Sequence, residues 1–381
     1  MQYPTFDFIV IGAGMAGASV AAELSRHARV ALIESETQPG YHATGRSAAL
    51  FSELYGNATI RALSRASRSF YFDPPQNFAE YPLVTPRETL FFGAHDEVAM
   101  LDAFQTSLTS APDLRRLSAN ETLARVPVFR PGYLGGGLVE TGSADIDVAG
   151  VLQGYVRLCR SHGVEICLGQ PVEHMTRADG VWNVELRGQA GARTVAAPVV
   201  VNAAGAWGDA VAAMAGAALV GLVPKRRTAV LIEVPDGLSA QDWPAAIHIA
   251  ESFYFKPDAG LLLLSPADET PSPPRDAQPD EFDIAVAVDR FEHATGHSVR
   301  RLRSRWAGLR TFVADKTPVV GFDDRAEGFF WFVGQGGYGI QTAPAMARVG
   351  ATLALGGRLE GASLDEGVRA ADLSPSRPGL R

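Results

Sequence analysis

A chain of 381 residues that is 46% hydrophobic and 20% charged has ample material for two cored units. Its formal net charge of −8 excludes a nucleic-acid partner, which would require a basic stripe. No apolar run reaches membrane-spanning length, so an integral membrane protein is not expected.

The two cysteines, Cys159 and Cys167, fit a reduced compartment, expected to be the cytoplasm. The eight histidines form no HxH or HExxH pair, so no metal site is expected. The chain opens on a short apolar run, Phe6 to Ile11, that reads as a buried parallel strand and leaves no room for a secretory leader. It leads into Gly12-Ala13-Gly14-Met15-Ala16-Gly17. In this spacing Gly12 permits a tight turn, Gly14 lets backbone approach a pyrophosphate, and Gly17 lets the next helix pack closely on the sheet. That helix, expected over Met15 to His27, aims its first amides, Ala16 among them, at phosphates. Arg29 to Ile33 reads as the second strand, and Glu34 beside Ser35 stands where a ribose hydroxyl needs an acceptor.

Strand, glycines, helix, strand and acid in register specify a dinucleotide site but do not choose between FAD and NAD. The next loop favours a flavin. His42, Ala43, Thr44, Gly45, Arg46, Ser47, Ala48 and Ala49 are small or hydroxyl residues with one guanidinium, able to wrap a pyrophosphate and run under an isoalloxazine.

Helical periodicity follows over Thr59 to Tyr71, and Asp73-Pro74-Pro75 breaks it. Pro82 to Gly93 reads as strand, Asp96 to Ser107 as helix, and Ser118 to Glu121 as a capping box. Gly135 to Leu138 and then Gly142 to Asp145 mark a return towards the first unit. A helix is expected over Asp147 to His162, with strands at Val164 to Leu168 and Val181 to Leu186. Thr194 to Asn202 reads as one apolar strand ending at Ala203-Ala204-Gly205-Ala206-Trp207, where small residues admit a ligand closely. Further strands are expected at Thr228 to Val234, Ser252 to Lys256 and Gly260 to Ser265. The Pro- and acid-rich loop Pro266 to Asp280 is expected to be mobile. Ile284 to Thr295 reads as helix, Phe329 to Gly334 as strand and Gln341 to Leu355 as helix. The tail 373–381 is expected to be loose.

Three segments, Gly12 to Gly17, Val200 to Trp207, and the pair Trp306–Arg310 with Gly334–Gln341, resemble the FAD-dependent D-amino acid oxidase and glycine oxidase (DAO) family. Pro39 to Ala49, Pro224 to Arg227, Glu251 to Gly260 and Trp306 to Asp315 resemble, within it, the bacterial D-arginine dehydrogenases. The resemblance implies an α/β fold. A Rossmann-like, glutathione-reductase-type FAD domain would span 1–80, 142–222 and 311–372. An inserted α+β substrate domain on an antiparallel sheet would span 81–141 and 223–310. It also implies non-covalent FAD, further held by Val172, Ala204, Gly205, Gly336, Gly337, Tyr338, Gly339, Ile340 and Gln341. The substrate implied is a D-amino acid, with a quinone or other electron acceptor and a monomeric enzyme.

Oxidising an α-amino acid at Cα requires its carboxylate to be held while Cα faces flavin N5, and a guanidinium does this with two parallel bonds. The resemblance gives that task to Arg310 and Arg227, with the Tyr254 phenol assisting. It makes Tyr55 part of a lid that excludes water, the Gly337 carbonyl an acceptor for the amine, and Glu251 a further contact. No histidine or carboxylate stands out as a base. This is consistent with hydride transfer from Cα to N5, driven by the neutral amine and followed by hydrolysis of the imino acid to a 2-keto acid and ammonia. The helix after the glycine turn offers its positive end to flavin N1 and O2.

Two positions depart from the arginine-type pattern. Thr89 replaces a glutamate that receives the guanidinium, and Leu50 replaces a histidine of the lid. Glu88 points to the opposite strand face, while Glu251 and lid residue Glu53 remain as acids. Loss of one carboxylate costs about 1.5–3 kcal/mol, so a broad D-amino acid range with apolar or uncharged side chains favoured is expected. The alternatives are an oxygen-using oxidase of D-amino acids or of secondary amines such as sarcosine, glycine or proline, and a flavin-binding module without catalysis.

Overall fold

A computed structural model of the chain describes residues 5–108, 113–189 and 191–380, so Arg381 at the end of the tail lies outside the described residues. Its central sheet has six strands in the order Val319–Phe322, Phe329–Val333, Val199–Asn202, Phe8–Ile11, Val30–Ile33, Glu165–Cys167. All neighbours are parallel except the first pair. Every residue of Phe8–Ile11, Val30–Ile33 and Phe329–Val333 is buried, the condition for strands covered on both faces. Phe8 and Val10 face the helices Met15–Leu24, Val148–Ser161 and Ala343–Ala354. Ile9 and Ile11 face an antiparallel meander, Val172–Ala178, Val181–Gly188 and Gly191–Ala197, through Trp182 and Val184.

The expected single strand Thr194 to Asn202 is in fact two. Pro198 has no N–H to give a ladder, and there the chain leaves the meander and enters the central sheet. The strand Val172–Ala178 escaped the sequence reading because Met175 is its single fully buried residue, so no alternation announces it.

A nine-stranded sheet forms the second layer, in the order Thr270–Pro271, Val223–Ile232, Leu261–Ser265, Tyr254–Asp258, Ala245–His248, Thr89–Ala94, Leu134–Glu140, Leu114–Leu117, with Leu302–Phe312 also paired to Val223–Ile232. It is antiparallel except where Ala245–His248 meets Thr89–Ala94. Helix Glu281–Thr295 covers one face through Ile284, Ala287 and Phe291, which meet Phe92, Phe253 and Phe255. The other face looks onto the cofactor unit. Leu50–Phe51, Val84–Pro86 and Ala144–Ile146 make a small sheet beside it.

Two segments expected to be loose are tied down. In the loop 266–280, Asp268 and Asp280 join Asp283 around Arg226, and the Ala277 side chain is buried. In the tail, Arg377 donates to both oxygens of Asp315 at 2.7 and 2.9 Å, and Leu373 and Leu380 are buried in the two clusters flanking the central sheet. The last long helix starts at Ala343 rather than Gln341, and the Gln341 side-chain amide donates to the Ser52 carbonyl and to Ser64 Oγ.

Candidate active site

A cavity of about 560 Å³ runs between the ends of the central parallel strands and the open face of the nine-stranded sheet. At one end Gly12, Gly14 and Ala16 line it, with Glu34 and Ser35. Gly12 adopts φ +101°, and a Cβ there would lie 2.6 Å from the Ala203 carbonyl oxygen, so only glycine fits the turn. Gly17 does not line the cavity. A Cβ on it would strike the Gly12 carbonyl oxygen, which gives it the packing role read from the sequence.

The Glu34 carboxylate accepts from Ala13 N at 2.8 Å, from Glu36 N at 3.0 Å and from Ser35 Oγ at 3.1 Å. The Met15 amide is taken by Thr44 Oγ1 at 3.0 Å, so the amides of Gly14 and Ala16 are the ones left for a phosphate. Ala43, Ser47, Ala48, Ala49, Val172, Ala204 and Gly205 complete the wall. Gly45 lies behind it, its amide on the Gly40 carbonyl. His42 packs on Trp207 with ring centroids 4.6 Å apart and meets Glu36 through Nε2. Its Nδ1 is buried without a partner, as a ligand contact would leave it. Arg46 also lines the cavity, with its guanidinium held by contacts within the chain. It donates to the Ala277 and Ala307 carbonyls at 2.9 and 3.1 Å and pairs with Asp276.

Gly336, Gly337, Gly339, Ile340 and Gln341 line the other end together with Tyr55, Arg227, Glu251, Tyr254 and Arg310. Tyr338 is turned away, packed on Tyr55 and Phe312. Arg310 stands on the strand Leu302–Phe312 and donates through Nη2 to the Tyr55 hydroxyl at 3.2 Å and the Gly337 carbonyl at 3.4 Å. Its Nη1 is buried with no partner. Burial works against the charge, but the phenols of Tyr55, Tyr254 and Tyr338 more than offset it and hold the Arg310 pKa above its ordinary value. Arg227 differs. It donates to the Asp268 carbonyl at 2.9 Å and lies 3.5 Å from Glu269, so its charge is partly spent within the chain.

The acids considered for a cationic side chain divide. Glu251 lines the cavity, but Glu53 pairs with Arg68 and Glu88 with Arg125, and neither lines it. Thr89 is fully buried against Ser143. Leu50, Phe91, Ala245, Ile247 and Lys256 form much of the wall around Tyr254. Lys256 was missed by the sequence reading, although it lies two residues from Tyr254 on one strand and so shares its face. Glu140 was missed too. It accepts from Ser52 Oγ at 2.7 Å and Glu53 N at 2.9 Å beneath the segment that holds Tyr55, and burial pushes its carboxyl up to about 7 against those two bonds.

The long small-residue lining, the acid at one end and the buried unpartnered His42 Nδ1 fit a dinucleotide, and the cavity continues to a buried free guanidinium edge. The model of the family described as FAD dependent oxidoreductase matches residues 7–353. The chain is 24% identical to the mouse FAD-dependent oxidoreductase domain-containing protein 1, over 93% of this chain and 82% of that one. Matches to the Xenopus laevis and Bos taurus proteins of that description span about half of their length. It is 25% identical to glycine oxidase of Geobacillus kaustophilus, over 89% and 90% of the two chains. The crystal structure of glycine oxidase from that organism superposes with a TM-score of 0.83 at 19% identity, covering 98% of this chain and 99% of that one. L-proline dehydrogenase from P. horikoshii gives 0.81 at 17% identity, covering 98% of each. The chain belongs to the FAD-dependent oxidoreductase (DAO) family.

Proposed function

We propose that this flavoprotein is a D-amino acid dehydrogenase, deaminating its substrate oxidatively to a 2-keto acid and ammonia. The observation that carries this reading is Arg310 Nη1, a buried guanidinium edge with no protein partner at the mouth of the flavin site. A buried donor of that kind is costly unless a ligand satisfies it, and a substrate carboxylate is the matching acceptor. Arg310 therefore takes the carboxylate, with the phenols of Tyr55 and Tyr254 beside it. Arg227, half committed to Asp268 and Glu269, adds long-range attraction. The Gly337 carbonyl, within reach of Arg310, accepts from the substrate amine and so fixes the Cα between two anchors. Non-covalent FAD, when bound, supplies the acceptor for the hydride leaving Cα. Tyr55 and its segment close the pocket against water. The apolar wall of Leu50, Phe91 and Ile247, with Glu53 and Glu88 turned away, supports preference for apolar or uncharged side chains over D-arginine. Among the described residues no helix is long and apolar enough to cross a membrane. We propose a cytoplasmic monomer that passes electrons to a quinone or similar carrier.

A second reading is an oxygen-using oxidase of a D-amino acid or of a secondary amine, which the glycine oxidase relative supports. One experiment addresses both: anaerobic bleaching of the flavin by D- and L-amino acids, sarcosine and proline, then admission of air. Bleaching by D-leucine, D-methionine or D-phenylalanine with slow reoxidation is the expected result. Fast reoxidation with peroxide release establishes an oxidase. Bleaching by sarcosine or proline alone, or by nothing, overturns the assignment.

A further inference from the structure

On the strand Tyr254–Asp258, Phe255 enters the core, while Tyr254 and Lys256, on the other face, line the cavity with Ala245, Ile247 and Phe91. Two residues along a strand is about 7 Å, so Lys256 stands that far beyond the tyrosine whose phenol faces Arg310. Small Ala245 is the next residue across the sheet and leaves the lysine stem room to lie along the wall.

The Lys256 side chain is 9% exposed, which for a lysine demands a partner. That partner is Asp145, but Asp145 is also held by Arg87. Arg87 is otherwise satisfied, donating to the Trp243 and Gln241 carbonyls. Two cations thus share one carboxylate, and no other acid among the described residues pairs with either. The Lys256–Arg87–Asp145 group carries a net positive charge where it meets the cavity wall, and the ammonium has three protons for the one acceptor at Asp145, while Glu251, an acid that also lines the cavity, pairs with neither cation. Leu50 pairs in register with Asp145, so this charge lies under the start of the lid segment.

We propose that Lys256 determines side-chain specificity, favouring amino acids whose side chain ends in a carboxylate, as in D-glutamate, over cationic ones. This rests on the D-amino acid reading and adds acidic side chains to the apolar and uncharged ones preferred there over D-arginine. The excess positive charge makes an ammonium or guanidinium at this end repulsive, and a carboxylate there completes the donor set of Lys256. Apolar side chains are tolerated by the Phe91–Ile247 wall but gain nothing from the ammonium.

The test is anaerobic flavin reduction by D-glutamate, D-leucine and D-lysine in the wild type, Lys256→Met and Asp145→Asn. The wild type is expected to reduce with D-glutamate roughly 10-fold or more faster per unit concentration than with D-lysine. In Lys256→Met the D-glutamate to D-leucine ratio of kcat/KM should fall roughly 10- to 100-fold, the scale of a charged hydrogen bond, and the D-lysine deficit should shrink. Asp145→Asn, which leaves the ammonium unneutralised, should raise the same ratio. An unchanged ratio in Lys256→Met, with flavin spectrum and melting temperature retained, overturns the proposal. If that variant does not fold, the wild-type comparison decides, and preference for D-lysine over D-glutamate overturns it. D-Leucine reduction with a silent D-glutamate overturns this inference alone, whereas silence of every D-amino acid overturns the underlying reading as well.

Discussion

Arg310 and Gly337 occupy space that only a hydrogen at residue 337 permits, since a Cβ built there lies 1.9 Å from Arg310 Nη2. Arg310, the proposed substrate anchor, and the glycine turn are therefore one fitted unit. Gly337→Ala is expected to push the guanidinium off its position and lower kcat/KM by about 100-fold, the cost of a misplacement of roughly 1 Å. Steady-state kinetics on the proposed D-amino acids check this, and wild-type efficiency in the variant would show that Arg310 does not set the substrate position.

Glu34 organises the phosphate end through three hydrogen bonds besides any it makes to a ribose. Glu34→Gln keeps the shape but turns an acceptor into a donor. Loss of a charged hydrogen bond is worth about 1.5–3 kcal/mol, so the FAD dissociation constant should rise roughly 10- to 100-fold. Quenching of flavin fluorescence on titrating apoprotein measures it directly.

Glu140 makes stability depend on pH in an unusual direction. Burial raises its carboxyl from 4.5 to about 7, so the folded chain holds this proton more tightly than the unfolded one. A group with a raised acid pKa withdraws nothing below about 4.5 and withdraws progressively more as pH climbs to about 7. The full difference is on the order of 3 kcal/mol. Glu140→Gln, which cannot ionise, should gain thermal stability relative to wild type between pH 5 and pH 8, as roughly that order of energy predicts. Melting curves of both proteins across that range test the sign, and a constant gap between them would refute it.

Arg377 ties the tail to Asp315 with a bidentate pair, and its side chain is 6% exposed. The pair draws the Asp315 carboxyl below its usual range even though burial alone would raise it. Arg377→Ala is expected to cost about 1–3 kcal/mol and to lower the melting temperature by roughly 3–8 °C. Calorimetry decides, and no change would mean that the Arg377–Asp315 pair contributes nothing to stability.

The dinucleotide turn was legible because backbone geometry dictates its residues. Gly12 and Gly17 sit where a Cβ has no room, and no other residue type can stand there. Glu34 and Arg310 were legible for a related reason, as charges set at the ends of apolar strands. The destination of a long flexible charge was not legible. Arg46 leaves the phosphate loop for a carboxylate at position 276, a pairing no local pattern encodes. Glu53 and Glu88 likewise found arginines on neighbouring helices, Arg68 and Arg125. Loop 266–280 has a disordered composition, yet its acids pair with cations elsewhere, Asp268 and Asp280 with Arg226, Asp276 with Arg46 and Glu269 with Lys225, so its order arises from tertiary charge pairing. Pro198 was visible in the sequence, but the apolar run around it masked a change of sheet.

The grip of Arg46 on Asp276, Ala277 and Ala307 has a kinetic consequence. It ties the cavity-lining loop 40–49 to segment 276–277 and to the strand Leu302–Phe312, so departure of FAD held along that loop, as proposed, is expected to require the tie to open. Flavin exchange is then expected to be gated by an ion pair with the exposed Asp276. Screening by salt should loosen it, and residence time, rather than equilibrium affinity alone, becomes the property that separates a long-lived holoenzyme from one that sheds its flavin on dilution.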